Sequence, residues 1–174
     1  MNIFKLDESP KLAAEMHCDK HCVKQILESL QILSCAVIRH GATPDQMPLT
    51  AKGTPYRGGY PHHPSSRWGG DSRSNFLWLC DLAENLCKEY TFRYGKIHSC
   101  EAKLEILKDL SYLIPNGPET PFAVAISQDS ICRQKITNFE NLSVVNKYRE
   151  YYNYDKSRFA KWTKREAPNW YKVK

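Results

Sequence analysis

The stretch EMHCDKHCVKQILESLQ, residues 15–31, places side chains that could do chemistry at helical spacing. His17 and His21 are one helical turn apart, so their imidazoles can reach a common point. Lys24 and Glu28 continue the same line at steps of three and four residues. On a helical wheel at about 100° per residue, this line falls roughly 100° to 180° from the apolar stripe. The pattern predicts a polar line on one helix, turned away from the core.

These side chains suit general acid–base and covalent chemistry. A histidine titrates near neutral pH, a lysine amine can attack a sugar carbon, and a carboxylate can stabilise an oxocarbenium-like centre. The predicted catalytic residues are His17, His21, Lys24 and Glu28. Two alternatives stay open. The line could be an ordinary solvated helix face, or the two histidines could bind a metal ion with help from His62, His63 or His98, which no spacing rule selects.

A second group of polar side chains precedes the next predicted helix, in YPHHPSSRWGGDSRSN, residues 60–75. Backbone N–H groups at a helix start, together with arginines, form anion sites of the phosphate-binding kind. Further candidates lie at the other end of that helix, on the first helix and in the C-terminal segment. The predicted substrate- or phosphate-binding residues are Lys20, His62, His63, Ser66, Arg67, Arg73, Asn75, Arg93, Lys156, Trp162 and Arg165. The alternative for the loop is plain helix capping, with Ser72 and Ser74 bonding the backbone.

The net charge of +6 is carried by the C-terminal segment. Residues 141–174 hold nine Lys/Arg against three acids, whereas residues 1–140 hold 16 of each sign. The basic residues alternate with Phe159, Trp162 and Trp170, and charges beside stacking rings are typical of nucleic-acid binding. The alternative is that the rings form core while the charges solvate the outer face, and both can hold together. The segment predicts a nucleic acid or a nucleotide as partner.

The elements that must position these side chains are predicted to be helices. Ser9 is a good N-cap and Pro10 fits the first helical position. Apolar residues then recur at helical spacing to about Arg39, and Gly41 marks the C-terminal stop. Residues 41–70 contain six of the eight glycines and five of the ten prolines. They predict a long loop.

Three more helices are expected in the rest of the chain. One ends at Gly95, one begins near Ser99, and one covers residues 146–164. Residues 122–127, FAVAIS, are the only strand-like run, and they are too isolated to make a sheet. The expected fold is a mainly α, single compact domain over residues 1–174, with a long Gly/Pro-rich loop and a basic aromatic C-terminal helix.

Composition narrows the class of protein. A hydrophobic share of 41% and a charged share of 25% are typical of soluble globular chains. No apolar run approaches the roughly 18 residues of a membrane span, and the N-terminus lacks the apolar core of a signal peptide. These features predict a cytoplasmic protein. The seven cysteines contain no CxxC pair, which favours free thiols, with a zinc site of the Cys-His type as the alternative.

Four stretches together resemble a family of small tailed-bacteriophage proteins of uncharacterised activity. They are HCDKHCVKQILESLQIL, HPSSRWGGDSRSNFLWL, EYTFRYGKIH and YREYYNYDKSRFAKWTKREAPNW. They span most of the chain, and their motifs are specific to that group. The resemblance implies that the protein works in the cytoplasm of a host cell.

A weaker resemblance is to the phage pyrimidine-dimer DNA glycosylases of the endonuclease V type, which are small, basic, helical enzymes. It rests on LAAEMH in the first helix, a His-Pro before a later helix, and an aromatic–basic C-terminus ending near WYK. The resemblance implies an N-terminal α-amino nucleophile, freed by removal of Met1, beside a helix glutamate. This sequence departs from that pattern twice. Asn2 is a residue before which the initiator Met is usually retained, and Glu28 lies about one turn beyond the expected position. Lys24 or Lys20 would then replace the amine.

The sequence leads to three hypotheses about function. The first is a DNA-processing enzyme that acts on a nucleobase–sugar bond of damaged or modified DNA, like a DNA glycosylase or lyase, without a cofactor. The second is a phage protein that binds a nucleotide, a nucleotide-derived signal or a host defence factor without chemistry. The third is a zinc-dependent nuclease or deaminase. Each requires that other parts of the fold cover the polar line of the first helix and form a pocket there.

Overall fold

The computed structural model describes residues 1–172, in which seven α-helices share one hydrophobic core. The helices are α1 (Pro10–Met16), α2 (Asp19–Arg39), α3 (Pro64–Gly69), α4 (Arg73–Tyr94), α5 (Glu101–Asp109), α6 (Ile131–Lys135) and α7 (Val144–Tyr151). Short 3-10 turns lie at Pro44–Gln46, Leu110–Leu113 and Phe139–Asn141, and a π turn follows α7 at Tyr152–Lys156. Within residues 1–172 the only β-pairing is a bridge between Leu49 and Pro55. The fold is mainly α, as predicted, and residues 173–174 of the predicted domain lie outside the described part.

Helix α4 forms the centre of the packing, against α1, α2 and α5. The Ser72 hydroxyl caps it by accepting a hydrogen bond from the Asn75 N–H at 3.2 Å. Gly95 ends it in the left-handed conformation, with φ +66°, which a residue without Cβ adopts at little cost. The predicted end of this helix at Gly95 is confirmed.

The prediction of one continuous first helix is wrong, because the chain breaks between α1 and α2. His17 and Cys18 are extended, with ψ 132° and 162°. The C-terminal segment holds this break open: the Trp162 indole donates to the Met16 carbonyl at 3.0 Å, and the Asp19 N–H donates to the Lys161 carbonyl at 2.8 Å. Partners that lie more than a hundred residues away cannot be recognised from local spacing.

The break changes which side chains face the core. Leu12 and Val23, both in the predicted apolar stripe, are 44% and 38% exposed. By contrast, His17, His21 and Glu28 are buried. The predicted assignment of the first helix's faces is therefore wrong in its first half. Other segments cover these three residues, whereas the pocket that the hypotheses require over the polar line stays a prediction.

Three other elements differ from the sequence-based prediction. The long loop contains the turn at Pro44–Gln46 and the helix α3. The last helix stops at Lys156, and the chain then runs without helix to residue 172, with Lys164 at φ +57°. Residues 122–127 form no strand. Each difference reflects tertiary contacts that local propensity does not encode.

All seven cysteines are buried and unpaired, which confirms the expectation of free thiols. Burial raises the pKa of Cys22 and of Cys87 to about 12, so both stay protonated at neutral pH. Among residues 1–172, no helix is both long and apolar enough to cross a membrane.

Candidate functional site

The Glu28 carboxylate is the centre of a polar cluster in the middle of α2. It is only 6% exposed, although it lies on a polar helix line. Its Oε2 accepts hydrogen bonds from the Asn2 backbone N–H at 2.9 Å and from the Gln25 amide at 2.8 Å. Its Oε1 lies 3.0 Å from the Lys24 ammonium, whose side chain is 67% exposed. A buried carboxylate is thus linked to a cation that is exposed to solvent.

The first residues of the chain reach Glu28 because they pack as core. Ile3 and Phe4 are buried. The Asn2 side chain donates to the Ala125 carbonyl at 2.9 Å and accepts from the Tyr148 hydroxyl at 2.9 Å. These contacts fix Asn2 from both sides, so its main chain is held against α2. Met1 also packs against the core.

His63, in the long loop, lies near enough to this cluster for its pKa to respond to the Glu28 charge. It is the N-cap of α3, and its Nδ1 accepts a hydrogen bond from the Ser65 N–H at 3.2 Å. An Nδ1 that accepts places the proton of the neutral ring on Nε2. Burial lowers the pKa of His63, the nearby N-terminal amine lowers it further, and the Glu28 carboxylate raises it. An amine, a carboxylate and an imidazole therefore share one electrostatic environment.

A group of exposed or partly exposed cations surrounds the N-terminal half of α2. Lys20 lies over the Phe159 ring at 4.8 Å, and Arg158 lies over the same ring at 5.9 Å. Lys20, Lys24 and Lys156 all lower the pKa of His21 through their charge, after burial as the main cause. We call Lys20, Lys24, Lys156 and Arg158 the basic ridge. Within this ridge, Lys24 puts positive charge next to Glu28.

His17 and His21 are part of the packed interior. The His17 Nδ1 lies 2.6 Å from the Ala13 carbonyl, and the His21 Nδ1 lies 2.6 Å from the Tyr152 hydroxyl. Phe4 stacks on His21 with ring centroids 4.3 Å apart. Burial lowers the pKa of His17 to about 4 and that of His21 to about 2. The structure does not bring these predicted catalytic histidines into the Glu28 cluster, and both rings are neutral at physiological pH.

Arg93 and Arg165 hold the C-terminal segment to the helices. The fully buried Arg93 guanidinium contacts Glu89, Asp19 and the carbonyls of Glu15 and His17. Arg165 donates to both oxygens of the Glu89 carboxylate, to Oε1, which Arg93 also binds, at 2.9 Å and to Oε2 at 2.8 Å. These partners are internal, so these two predicted phosphate ligands act structurally here. The Trp162 indole likewise bonds an internal group, the Met16 carbonyl. Lys156, at the edge of the basic ridge, donates to the Tyr151 hydroxyl at 3.0 Å.

Arg73 and Asn75 anchor the segment after the 3-10 turn at Leu110–Leu113. Arg73 donates to the carbonyls of Tyr112 and Ile114 at 3.1 to 3.3 Å. Asn75 is fully buried and bonds the Thr120 backbone N–H and hydroxyl at 2.9 and 2.7 Å. Both predicted phosphate ligands are therefore occupied by main-chain and side-chain groups of the protein itself.

The remaining predicted phosphate ligands meet in a cleft between the C-terminal half of α2 and residues 57–71. The cleft has a volume of about 570 Å³, and His62, Ser66 and Arg67 line it. Arg39 and Arg57 line it too, although sequence reasoning did not select them. We call this the arginine cleft.

One of the two missed arginines could have been found from helical spacing. Arg39 follows Glu28 by eleven residues, close to three turns at about 3.6 residues each, so both lie on one line of α2. Arg57 belongs to an irregular loop, and no periodicity marks it. Asn2, the third missed residue, reaches Glu28 only through the tertiary fold.

Comparison of this chain with protein-family models, with curated proteins and with solved structures gives no significant match. In the described part of the chain, no group of three or more His, Cys, Asp or Glu side chains is placed to hold a metal ion.

Proposed function

We propose that this protein is a DNA-processing enzyme of the phage type that cleaves a nucleobase–sugar bond in damaged or modified DNA. One observation carries the proposal: the buried Glu28 carboxylate is bonded to the Asn2 N–H and to the exposed Lys24 ammonium, at 2.9 and 3.0 Å. A carboxylate beside an amine suits attack on the anomeric carbon of a nucleoside, because it stabilises an oxocarbenium-like centre and can take the amine's proton.

The proposed reaction uses the amine as nucleophile. Glu28 first takes a proton from the Lys24 ammonium, which frees the lone pair of its nitrogen. The neutral amine nitrogen then bonds to C1′ while the C1′–N bond to the base breaks, and the base leaves with that electron pair and takes up the proton from Glu28. A proton next passes from nitrogen to O4′ as the C1′–O4′ bond breaks, which opens the ring and gives a protonated imine. Hydrolysis then returns the amine and leaves an abasic site. Two amines lie near Glu28, the Lys24 side chain and the N-terminal amino group, and we propose Lys24 because its ammonium contacts Glu28 directly.

The basic ridge supports DNA as the substrate. Lys20 and Lys24 lie one turn apart on α2, and Lys156 and Arg158 approach from the C-terminal segment. Cations that neutralise successive phosphates supply most of the sequence-independent affinity for DNA. In this proposal the ridge grips the backbone on the side of Glu28 that faces solvent.

Borohydride trapping tests this proposal. The full chain is incubated with duplexes that carry an abasic site, a pyrimidine dimer or an alkylated base, and the imine is reduced to a stable adduct. We expect a covalent protein–DNA product whose modified peptide contains Lys24, and loss of that product in Lys24→Ala and Glu28→Gln. Glu105→Gln, an exposed helix glutamate far from the cluster in sequence, is the control and should react like the parent.

Two results would contradict the proposal. One is no adduct and no abasic product with any of these duplexes. The other is undiminished reaction in both variants, with circular dichroism showing that each is folded. A modified peptide at residue 1 instead of Lys24 would keep the reaction class and move the nucleophile to the N-terminal amine.

The arginine cleft favours a second candidate function, a protein that binds a nucleotide or nucleotide-derived signal without chemistry. Its volume of about 570 Å³ falls among those of small-molecule sites. A nucleotide incubated with the protein and recovered by denaturation should then have its original mass. A changed mass would exclude this candidate and favour an enzyme.

A further inference from the structure

The arginine cleft contains more positive charge than the protein itself neutralises. Arg39 is paired with Asp71 at 3.0 Å and also donates to the Arg67 carbonyl at 3.2 Å. The guanidinium groups of Arg57 and Arg67 make no hydrogen bond or ion pair with any residue between 1 and 172. Asp71 offsets one of the three arginines, so the cleft keeps two uncompensated positive charges.

The wall of the cleft carries an unsatisfied polar group. Ser66 lines the cleft and is 2% exposed, and its hydroxyl has no hydrogen-bond partner. A buried hydroxyl without a partner costs free energy, so native proteins rarely keep one without a reason. The hydroxyl oxygen itself has almost no accessible surface, so a ligand oxygen between the arginines would supply the missing partner once the Ser66 side chain rotates toward the cleft.

We propose that the arginine cleft is a binding site for a terminal phosphate, held by Arg57 and Arg67 and by the Ser66 hydroxyl. A phosphate monoester carries close to two negative charges at neutral pH and three acceptor oxygens, which matches two free guanidinium groups and one hydroxyl. A phosphodiester within a DNA strand carries one charge and matches less well. The inference stands on the cleft alone and holds whichever proposed function is correct.

Glu28 does not line the cleft. Arg39, which does, is eleven residues from Glu28 on α2, and at about 1.5 Å per residue their backbones are separated by roughly 16 Å. The segment 57–63 comes closer to Glu28, since a Cβ at Gly59 would lie 3.2 Å from the Met1 sulfur and 3.3 Å from Gln31. The cleft therefore adjoins the Glu28 cluster without including its carboxylate.

Titration calorimetry with inorganic phosphate tests the site. The full chain is titrated at constant ionic strength and about pH 7.5, above the second phosphate pKa of about 6. We expect saturable one-to-one binding that weakens at least about tenfold in Arg57→Ala and in Arg67→Ala. Arg158→Ala, an exposed arginine of the basic ridge, is the matched control and should bind phosphate like the parent.

The two neighbouring serines separate ligand binding from packing. Ser65 and Ser66 both have buried hydroxyls without partners, but only Ser66 lines the cleft. Replacing either by alanine should leave the free protein as stable as the parent or more so. We expect phosphate affinity to fall several-fold in Ser66→Ala and to stay unchanged in Ser65→Ala. Equal phosphate affinities in Ser65→Ala and Ser66→Ala would show that the Ser66 hydroxyl does not bind phosphate.

Short single-stranded oligonucleotides distinguish a terminal phosphate from a backbone phosphate. A 5′-phosphorylated strand should bind more tightly than its 5′-hydroxyl counterpart, and the difference should vanish in Arg57→Ala. If both strands depend equally on Arg57, the site binds backbone phosphate and the assignment to a terminal phosphate is overturned. A parent protein that does not bind inorganic phosphate overturns the site itself. Glu28→Gln should bind phosphate normally, so failure of the proposed reaction is distinguishable from failure of this site.

Discussion

At the residue scale, the two buried histidines of α1 and α2 make stability depend on pH. Their folded-state pKa values of about 4 and about 2 lie below the unfolded value of about 6.5. Below pH 6.5, His17 and His21 therefore bind protons in the unfolded chain but not in the folded chain, and stability falls as pH falls. At about 1.4 kcal/mol per pH unit for each group, the two histidines together cost roughly 2 to 3 kcal/mol between about pH 7 and pH 5.5. His63 and His98, whose pKa values burial also lowers, act in the same direction.

Urea unfolding followed by tryptophan fluorescence measures this loss at the two pH values. His62→Gln is the control, because His62 is exposed in the arginine cleft. Its free energy of unfolding should fall between the two pH values by as much as that of the parent. A free energy of unfolding that does not change between the two pH values would show that the buried rings are protonated in the folded state.

At the element scale, the segment 57–63 lies so close to α2 that it cannot carry a side chain at Gly58. A Cβ there would lie 2.7 Å from the Cys35 sulfur and 3.1 Å from the Gln31 carbonyl oxygen, at φ +77°. Gly53, with φ +72°, has nothing within 4 Å of its Cβ position. Gly53→Ala isolates the cost of left-handed backbone, about 1 to 2 kcal/mol. Gly58→Ala adds overpacking against a rigid helix, a further 1 to 3 kcal/mol or so.

Thermal and urea unfolding of these two variants check that difference. Because Gly58 lies beside Arg57, Gly58→Ala should also weaken phosphate binding, whereas Gly53→Ala should not. Equal stability losses in both variants would mean that the loop moves freely away from α2.

The two long helices differ in how well local sequence determined them. Helix α4 could be predicted because Ser72 and Gly95 mark its ends in the sequence itself. The break before Asp19 could not, since no glycine or proline marks it and its partners Lys161 and Trp162 lie far along the chain.

The same contrast applies to the candidate sites. Lys24 and Glu28 were found from helical spacing, and they do lie together, 3.0 Å apart. The burial of His21 against Tyr152 and the bond from Asn2 to Glu28 depend on long-range packing. Arg57 lies in irregular backbone, where neither periodicity nor capping selects a residue.

At the scale of the whole molecule, Arg93 joins four segments of the chain. Its guanidinium contacts the end of α1, the first residue of α2 and Glu89 of α4, and Glu89 in turn binds Arg165 of the C-terminal segment. Burial alone would raise the pKa of Glu89, but hydrogen bonds from Arg165 and Arg93 outweigh it and hold the pKa low.

Replacing this arginine should therefore destabilise the protein strongly. Arg93→Met leaves Asp19 and the buried Glu89 without their shared cation. We expect the free energy of unfolding, measured in urea, to be about 3 to 5 kcal/mol lower than that of the parent. Lys88→Met, at an exposed position of the same helix, should stay within about 0.5 kcal/mol of the parent. Similar losses of unfolding free energy in both variants would show that the contacts of Arg93 contribute little to stability.

The burial of every cysteine limits how readily oxidants react with its thiol. Thiol oxidation and disulfide exchange proceed through the thiolate at an accessible sulfur, and here the sulfurs are enclosed and most have raised pKa values. Away from the arginine cleft, which Cys35 lines, an oxidant can therefore reach these groups only in molecules that have opened. The rate of irreversible damage then depends on how often the chain opens as well as on how much oxidant surrounds it, so the same packing that fixes the two candidate sites also slows oxidation of the thiols.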